Sequence, residues 1–515
     1  MTQTSDTLLR LQDVSKRFGK KTALDHISLE IAPGRMVGLL GSNGSGKSTL
    51  IKLINGLLVP SSGQIFICGQ APGPETKAIV SYLPERTYLP DTVRVKGLLS
   101  FFRDFYTDFD AAKAEEMLQK LDIDPSSPLK TLSKGTREKV QLIMVMSRRA
   151  RVYILDEPIA GVDPAARDYI LKTIIQDYSE DASILLSTHL IADVEQLLDD
   201  VIFLKDGHFP ERRTDHSLFQ RGRDPGHPPS VRRLLFPGGI LMLTKLISHE
   251  WKDTFKVPAL LLTITVLLSA ASLVYFSVAD QATADIDLNV RNFVLYIAYI
   301  LILSGLSMIL TIYFAIRFYK NLYTDEGYLM HTLPVKPWML IVSKLTIGTI
   351  WFYLIDLLLV GAITLITLIA LPTMAYFSPE DLLELRTMFQ SYHTIFTVPS
   401  ILFLAIPVMI IGSVFSLLTI YASISLGQLF SSHKVLASIL CYLGLSTILS
   451  TVMMLLTAPT TAGVFIIQST SANPMADFAS IYWSIMLISL FANLILCVPA
   501  FWICNYVMKR CLNLD

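Results

Sequence analysis

A nine-residue run, Gly41-Ser42-Asn43-Gly44-Ser45-Gly46-Lys47-Ser48-Thr49, concentrates more potential chemistry than any other stretch of the chain. Its glycines let successive backbone N–H groups turn inward on an anion, Lys47 adds a mobile positive charge, and the Ser48 hydroxyl suits a hard divalent cation. The spacing Gly-x-x-x-x-Gly-Lys-Ser is that of a loop cradling the phosphates of a nucleoside triphosphate, so ATP with Mg2+ is the expected ligand. Two carboxylates, Asp156 and Glu157, follow the apolar run 152–155. Asp156 is suited to hold magnesium, directly or through water, and Glu157 to orient or deprotonate the attacking water. Acids at a strand end also cap helices; beside a phosphate loop the catalytic reading is the stronger. A third apolar run, 184–186, leads through Ser187 and Thr188 to His189, a candidate γ-phosphate contact, although a lone His is more often structural. Finally, Ser133 and Gly135, in Leu132-Ser133-Lys134-Gly135-Thr136, open a helical stretch over 137–149 and form a second anion site. One ATP does not need two such sites in one subunit.

These residues need a parallel sheet to gather them. The run 36–40 between Gly34 and Gly41 reads as a buried strand, 48–55 as a helix with Gly56 at its end, and 152–155, 184–186 and 201–204 as further strands. In a parallel α/β sheet the chemistry collects at the carboxyl ends of the strands, which is where the loop, the acidic pair and His189 fall.

The order of these motifs resembles the nucleotide-binding domain of ATP-binding cassette (ABC) transporters over about the first 209 residues. The resemblance implies that Phe18 stacks on adenine, that residues 41–49 are the Walker A loop, and that Asp156 and Glu157 are Walker B. It also makes Ser133 and Gly135 the signature motif, Asp163 the D-loop acid and His189 the switch histidine. In that family the signature of one subunit closes over the ATP held by another, which accounts for the surplus anion site and implies a homodimer or a heterodimer with a related half-transporter. Four positions depart from the family pattern: Lys134 and Thr136 in the signature, Ala160 beside the D-loop, and Glu85 where a glutamine is usual. Glu85 can still meet magnesium or its water, while adding negative charge near the phosphates. None of the four removes a group that positions the nucleophile, so hydrolysis is expected to survive.

Composition divides the chain. Of 515 residues, 52% are hydrophobic and 17% charged, and the 43 acidic and 43 basic side chains cancel. From Met242 onward only 13 acids and 12 bases remain, so the apolar excess lies in the second half. Zero net charge gives no support to nucleic-acid binding. The five cysteines (Cys68, Cys441, Cys497, Cys504 and Cys511) show no metal or Cys-x-x-Cys spacing and read as reduced packing residues. The first residues are polar and carry no secretory h-region, which leaves membrane insertion to the later apolar segments.

The expected organisation is thus an α/β P-loop NTPase (ABC ATPase) domain over 1–209 and an irregular linker over 210–241. An all-α polytopic membrane domain of six transmembrane helices follows over 242–515. The linker holds six arginines, no lysine and five prolines, and reads either as a flexible joint or as an out-of-frame stretch joining two coding regions. Six apolar stretches follow, at 257–279, 293–316, 345–371, 398–426, 435–457 and 481–507, each long enough to cross a hydrocarbon core about 30 Å thick. Ten Lys and Arg residues in the flanks and even-numbered connections, against two in the odd ones, put both termini and the ATPase domain of a multi-pass plasma-membrane protein in the cytoplasm.

Residues 243–255 are amphipathic at helical spacing and suit a helix on the inner membrane surface. The second connection, Tyr323-Thr324-Asp325-Glu326-Gly327-Tyr328-Leu329 and Thr332-Leu333-Pro334-Val335, resembles the cytoplasmic loop of ABC-2-type permeases, or else is a solvated polar loop. The resemblance implies that this loop and the surface helix contact the ATPase, and that a small-molecule or peptide substrate is exported. The other reading is an ATP-driven membrane device that signals or extracts from the bilayer without a through-path. Asp356, inside the third span, faces either a substrate path or a polar neighbour. The acidic stretch 378–392 is expected to form a surface helix or an outer cap.

Overall fold

The computed structural model describes residues 7–158, 182–188, 198–209, 239–278, 286–374, 404–430, 433–470 and 474–512. Asp163, Ala160, His189, nearly all of the linker and the outer stretch 378–392 lie outside the described residues. The chain divides into two compact units: residues 1–249, 319–340 and 509–515 make one, and residues 250–318 with 341–508 the other.

In the first unit, β1 (Leu9–Phe18), β2 (Lys21–Ile31) and β4 (Ser62–Ile67) pair antiparallel in the order β2-β1-β4. A second, parallel sheet has the order β5-β6-β7-β3-β8, from β3 (Met36–Leu40), β5 (Val80–Leu83), β6 (Val152–Asp156), β7 (Ser183–Ser187) and β8 (Asp200–Phe203). Every residue of β3, β5, β6 and β7 is buried, which is why β3, β6 and β7 read as apolar runs rather than alternating ones. The edge strand β8 is mostly exposed. Among the described residues this part has the α-helices α1 (Lys47–Ile54), α2 (Pro74–Ile79), α3 (Val95–Phe105), α4 (Ala111–Lys120) and α5 (Lys134–Met146). Arg148, just past α5, is buried and locks its end: it pairs with Asp108 at 3.1 Å, donates to the Val80 and Ala78 carbonyls, and lies 3.8 Å over the Tyr106 ring.

Beyond the linker come α6 (Gly239–Thr254), α7 (Lys256–Val278), α8 (Ile286–Tyr323), α9 (Asp325–Thr332), α10 (Pro337–Met374), α11 (Ile406–Gly427), α12 (Lys434–Thr470) and α13 (Pro474–Arg510). Helix α6 starts at Gly239, within the residues assigned by composition to the linker. Among the described residues, six helices are long and apolar enough to cross a membrane: Lys256–Val278, Val290–Tyr323, Pro337–Thr367, Ile406–Gly427, Lys434–Thr460 and Ile481–Arg510. The second, third, fifth and sixth are longer than the apolar stretches because a helix continues past the hydrocarbon wherever polar residues can still complete its backbone ladder. The second connection is therefore the end of α8, the short helix α9 and the start of α10 rather than an open loop.

Inside the second unit, Phe276, Tyr299, Leu303 and Ile366 form a core shared by α7, α8 and α10. Phe318 stacks on Tyr421 at 3.8 Å, and Trp251 on Trp351 at 5.2 Å. Asp356 is half-buried, and the Ser413 hydroxyl of α11, which donates to the Met409 carbonyl, is a polar neighbour of its carboxyl.

Candidate functional site: a nucleotide-phosphate loop and its carboxylates

Strand order brings the candidate residues to one end of the parallel sheet. β7 lies between β3 and β6, with Leu39 opposite Ser187 and Asp156 opposite the same Ser187. The loop after β3 and the carboxylate at the end of β6 thus flank one strand.

The loop's shape follows from its glycines. A Cβ at Gly41 would lie 2.3 Å from the Leu204 carbonyl oxygen, and Gly46 holds φ +108° as the residue before α1. Both positions exclude a side chain, and the second turns the chain so that the open N–H groups of α1 face the loop. The Lys47 ammonium is buried and folds back on the loop, donating to the Gly41 and Ser42 carbonyls at 2.7 and 3.2 Å. The Ser45 hydroxyl is buried and has no hydrogen-bond partner among the described residues. A backbone cradle, a tethered cation and an orphaned buried hydroxyl fit a polyphosphate.

The Asp156 carboxylate accepts a hydrogen bond from Ser187 Oγ at 2.5 Å. Burial, the largest cause, raises its pKa to about 6; the Glu85 and Glu157 carboxylates push the same way, and Lys47 and the Ser187 bond oppose them. Glu157 departs from the strand: its N–H still donates to the Ser187 carbonyl at 3.0 Å, but its own φ is +52°. A non-glycine residue there carries about 1–2 kcal/mol of backbone strain, the kind that persists at functional positions. A cleft of about 180 Å³ is lined by Glu85, Glu157, Lys134, Glu138 and Gln141, among others.

Ser133 is the N-cap of α5, its Oγ accepting from the Thr136 N–H at 3.2 Å and sharing a hydrogen bond with the Thr136 hydroxyl at 2.8 Å. Helix α5 therefore begins at Lys134, three residues before the start that spacing suggested. Phe18 ends β1, and its ring lies 5.0 Å from the Lys16 ammonium.

A family model described as "ABC transporter" matches residues 24–160. The ABC transporter ATP-binding protein YtrB of Bacillus subtilis (strain 168) is 31% identical over 202 residues, 39% of this chain and 69% of that protein. The chain belongs to the ABC transporter ATP-binding family. Its first part is an ATPase domain of that family. The Nod factor export ATP-binding protein I of Cupriavidus metallidurans is 29% identical over 221 residues, 41% of this chain and 72% of that protein. The ribose import ATP-binding protein RbsA of Corynebacterium glutamicum is 30% identical over 219 residues, 39% of this chain and 41% of that protein.

In this ABC ATPase the compact unit also takes in residues 319–340 and residues 239–249 of α6. Tyr106 Oη donates to the Thr332 carbonyl at 3.2 Å, Arg86 lies 3.9 Å from Asp325, and the Lys52 ammonium sits 5.7 Å from the Tyr328 ring centroid. Burial, and then the Lys77 charge, bring the His331 pKa down to about 3. The ring is thus neutral at pH 7, with Nε2 3.0 Å from the Leu322 carbonyl. On α6, Lys245 Nζ donates to the Asp104 carbonyl at 2.5 Å and His249 meets the Asp104 carboxylate at 2.9 Å, against the rings of Phe101 and Phe105. Sequence reasoning did not single out Asp104, Tyr106, His249 or Gln141. Each gains its partner only through tertiary contact and carries no local motif.

Proposed function

We propose that this chain is an ABC half-transporter in which two chains pair and ATP hydrolysis drives a substrate outward across the membrane. The observation that carries this reading is the folding of residues 319–340, the connection between two membrane-crossing helices, as part of the ATPase unit. A connection held by Tyr106, Arg86 and Lys52 moves when the ATPase moves.

In this reading Phe18 stacks on adenine, and residues 41–49 with the N–H groups of α1 hold the phosphates. Lys47 leaves its loop carbonyls for the outer phosphates. Ser48, Asp156 and Glu85 would hold Mg2+, which when bound neutralises charge on the β- and γ-phosphate oxygens. Glu157 receives a proton from the attacking water or orients it, and His189 contacts the γ-phosphate. Ser133 and Gly135 of a second copy, or of a related chain, complete the site beside Asp163. Catalysis is largely electrostatic, by fixed donors aimed at developing negative charge. The names of the relatives point both ways, to export and to import, so outward direction rests on the ABC-2-like second connection. The ATPase domain and both termini face the cytoplasm, and the residues 210–241 serve as the joint between the two functions.

The test uses the full chain in liposomes with fluorescent lipid, peptide and drug-like probes. ATP-dependent movement of any probe, lost in Glu157→Gln, supports transport. Probe-stimulated ATPase without flux favours the membrane device. Reversing charge in Glu326→Lys should preserve most ATPase and lower flux at least about tenfold, because Glu326 accepts from Asn321 in the first turn of α9 and complements that helix's N-terminal dipole. Unchanged flux would make residues 323–335 a plain connection.

A further inference from the structure

We infer that Gln141 is a positioning residue for ATP hydrolysis: it pins the segment 84–88, which carries Glu85, to the helix that opens at Ser133. The inference rests on the ATPase reading and on Glu85 lying beside the phosphates.

Gln141 lies two turns into α5 and is 3% exposed. Its side-chain amide engages one short stretch of backbone. Nε2 donates to the Pro84 and Arg86 carbonyls, both at 3.3 Å, and Oε1 accepts from the Tyr88 N–H at 3.2 Å. An amide has two donors and an acceptor, and here all three are used on alternate residues of a segment that has just left β5 and has no ladder partner among the described residues. Buried backbone groups without a partner are costly, so Gln141 supplies what a neighbouring strand would.

Its neighbours at four-residue spacing hold the same segment. One turn earlier, Arg137 Nη1 meets the Asp91 carboxylate at 2.7 Å; one turn later, the Val145 carbonyl accepts from the Ser81 hydroxyl at 2.8 Å. Residues 137, 141 and 145 share one face of α5 and grip residues 81 to 91. The gripped segment faces two ways. Glu85 lines the cleft that also holds Glu157, and Arg86 reaches Asp325 of α9. Gln141 therefore sets, from the signature helix, both the reach of Glu85 and the seat of the connection at 319–340.

The groups of the same chain that hold the phosphates lie elsewhere, on the loop 41–46 between β3 and α1 and on α1 itself, so loss of this pin acts on turnover more than on nucleotide affinity. Residues that orient a ligand of a metal site change activity about 10–100-fold when removed. In the full-length chain in detergent, Gln141→Leu is expected to lower kcat for ATP at least about tenfold while KM stays within about twofold. Hydrogen exchange at the Tyr88 amide should accelerate, with the α1 amides unchanged. In a Glu85→Ala background the same substitution should lower kcat less than about twofold further, because the group it positions is gone. An undiminished effect in that background, or unaltered Tyr88 exchange, overturns the inference. A wild-type chain without ATPase activity overturns the ATPase reading itself, and this inference with it; the Tyr88 exchange then reports only a structural clamp.

Discussion

Glu157→Gln is expected to keep ATP binding and to lower steady-state hydrolysis by about 10²–10⁴-fold, the usual contribution of a group that takes a proton in the transition state. The amide is isosteric with the carboxylate, so its side chain fills the same space and can still accept a hydrogen bond from water. What it loses is basicity. Its backbone is untouched: the N–H keeps its bond to the Ser187 carbonyl, and the left-handed φ is no harder for Gln than for Glu. The substitution also removes one of the negative charges that raise the Asp156 pKa, so affinity for ATP with Mg2+ should hold or rise slightly. Phosphate release and binding of a fluorescent ATP analogue measure the two effects separately. With turnover blocked and ATP present, paired chains should accumulate, which size-exclusion chromatography would detect. Undiminished hydrolysis would mean that the base is another residue.

The comparison of Glu157 with Gln141 shows what a linear sequence can carry. The phosphate loop is legible because its chemistry is local: glycines, Lys47 and Ser48 act within one turn of backbone, and spacing alone defines the turn. Strands β3, β6 and β7 are legible because burial on both faces demands continuous apolar runs. The six candidate spans are legible because hydrocarbon excludes charge over a fixed length. Gln141 is not legible, since a glutamine inside a helix looks the same whether it faces water or satisfies three backbone groups of a distant loop. The seat of α9 on Tyr106 is hidden for the same reason, as the partners are 226 residues apart. The linker shows a different limit: composition carried the irregular joint through to 241, whereas a helix can recruit Gly239 and Ile240 into its first turn without any change in apolar content.

A second large effect is expected at Glu250, on the helix that precedes the first span. Its carboxylate receives Arg317 Nε from α8 and Lys344 Nζ from α10, each at 2.8 Å, so one anion joins three helices of the second unit. The side chains of Glu250, Arg317 and Lys344 are 9%, 16% and 3% exposed, and Arg317 also lies 3.6 Å from Asp253. Burial by itself pushes the Glu250 pKa up; Lys344 and Arg317 outweigh it and hold it down at about 2. Glu250→Gln keeps the volume and removes the charge, leaving two buried cations without the anion that lies between them. Breaking a buried pair in this way costs about 3–5 kcal/mol. The full-length variant should therefore lose thermal stability in detergent, read as a lower midpoint of aggregation. Because the folded carboxyl titrates below its unfolded value, the stabilisation is complete above the unfolded pKa of about 4.5 and is lost as pH falls through about 2. The difference between wild type and Glu250→Gln should thus be flat from about pH 5 to 8 and shrink only in acid. Replacing Glu250, Arg317 and Lys344 together by apolar residues of similar volume separates two roles for the network. A triple variant as stable as wild type but with ATPase no longer responsive to transported probes would assign the triad to motion between helices; restored stability with full response would leave it a packing element.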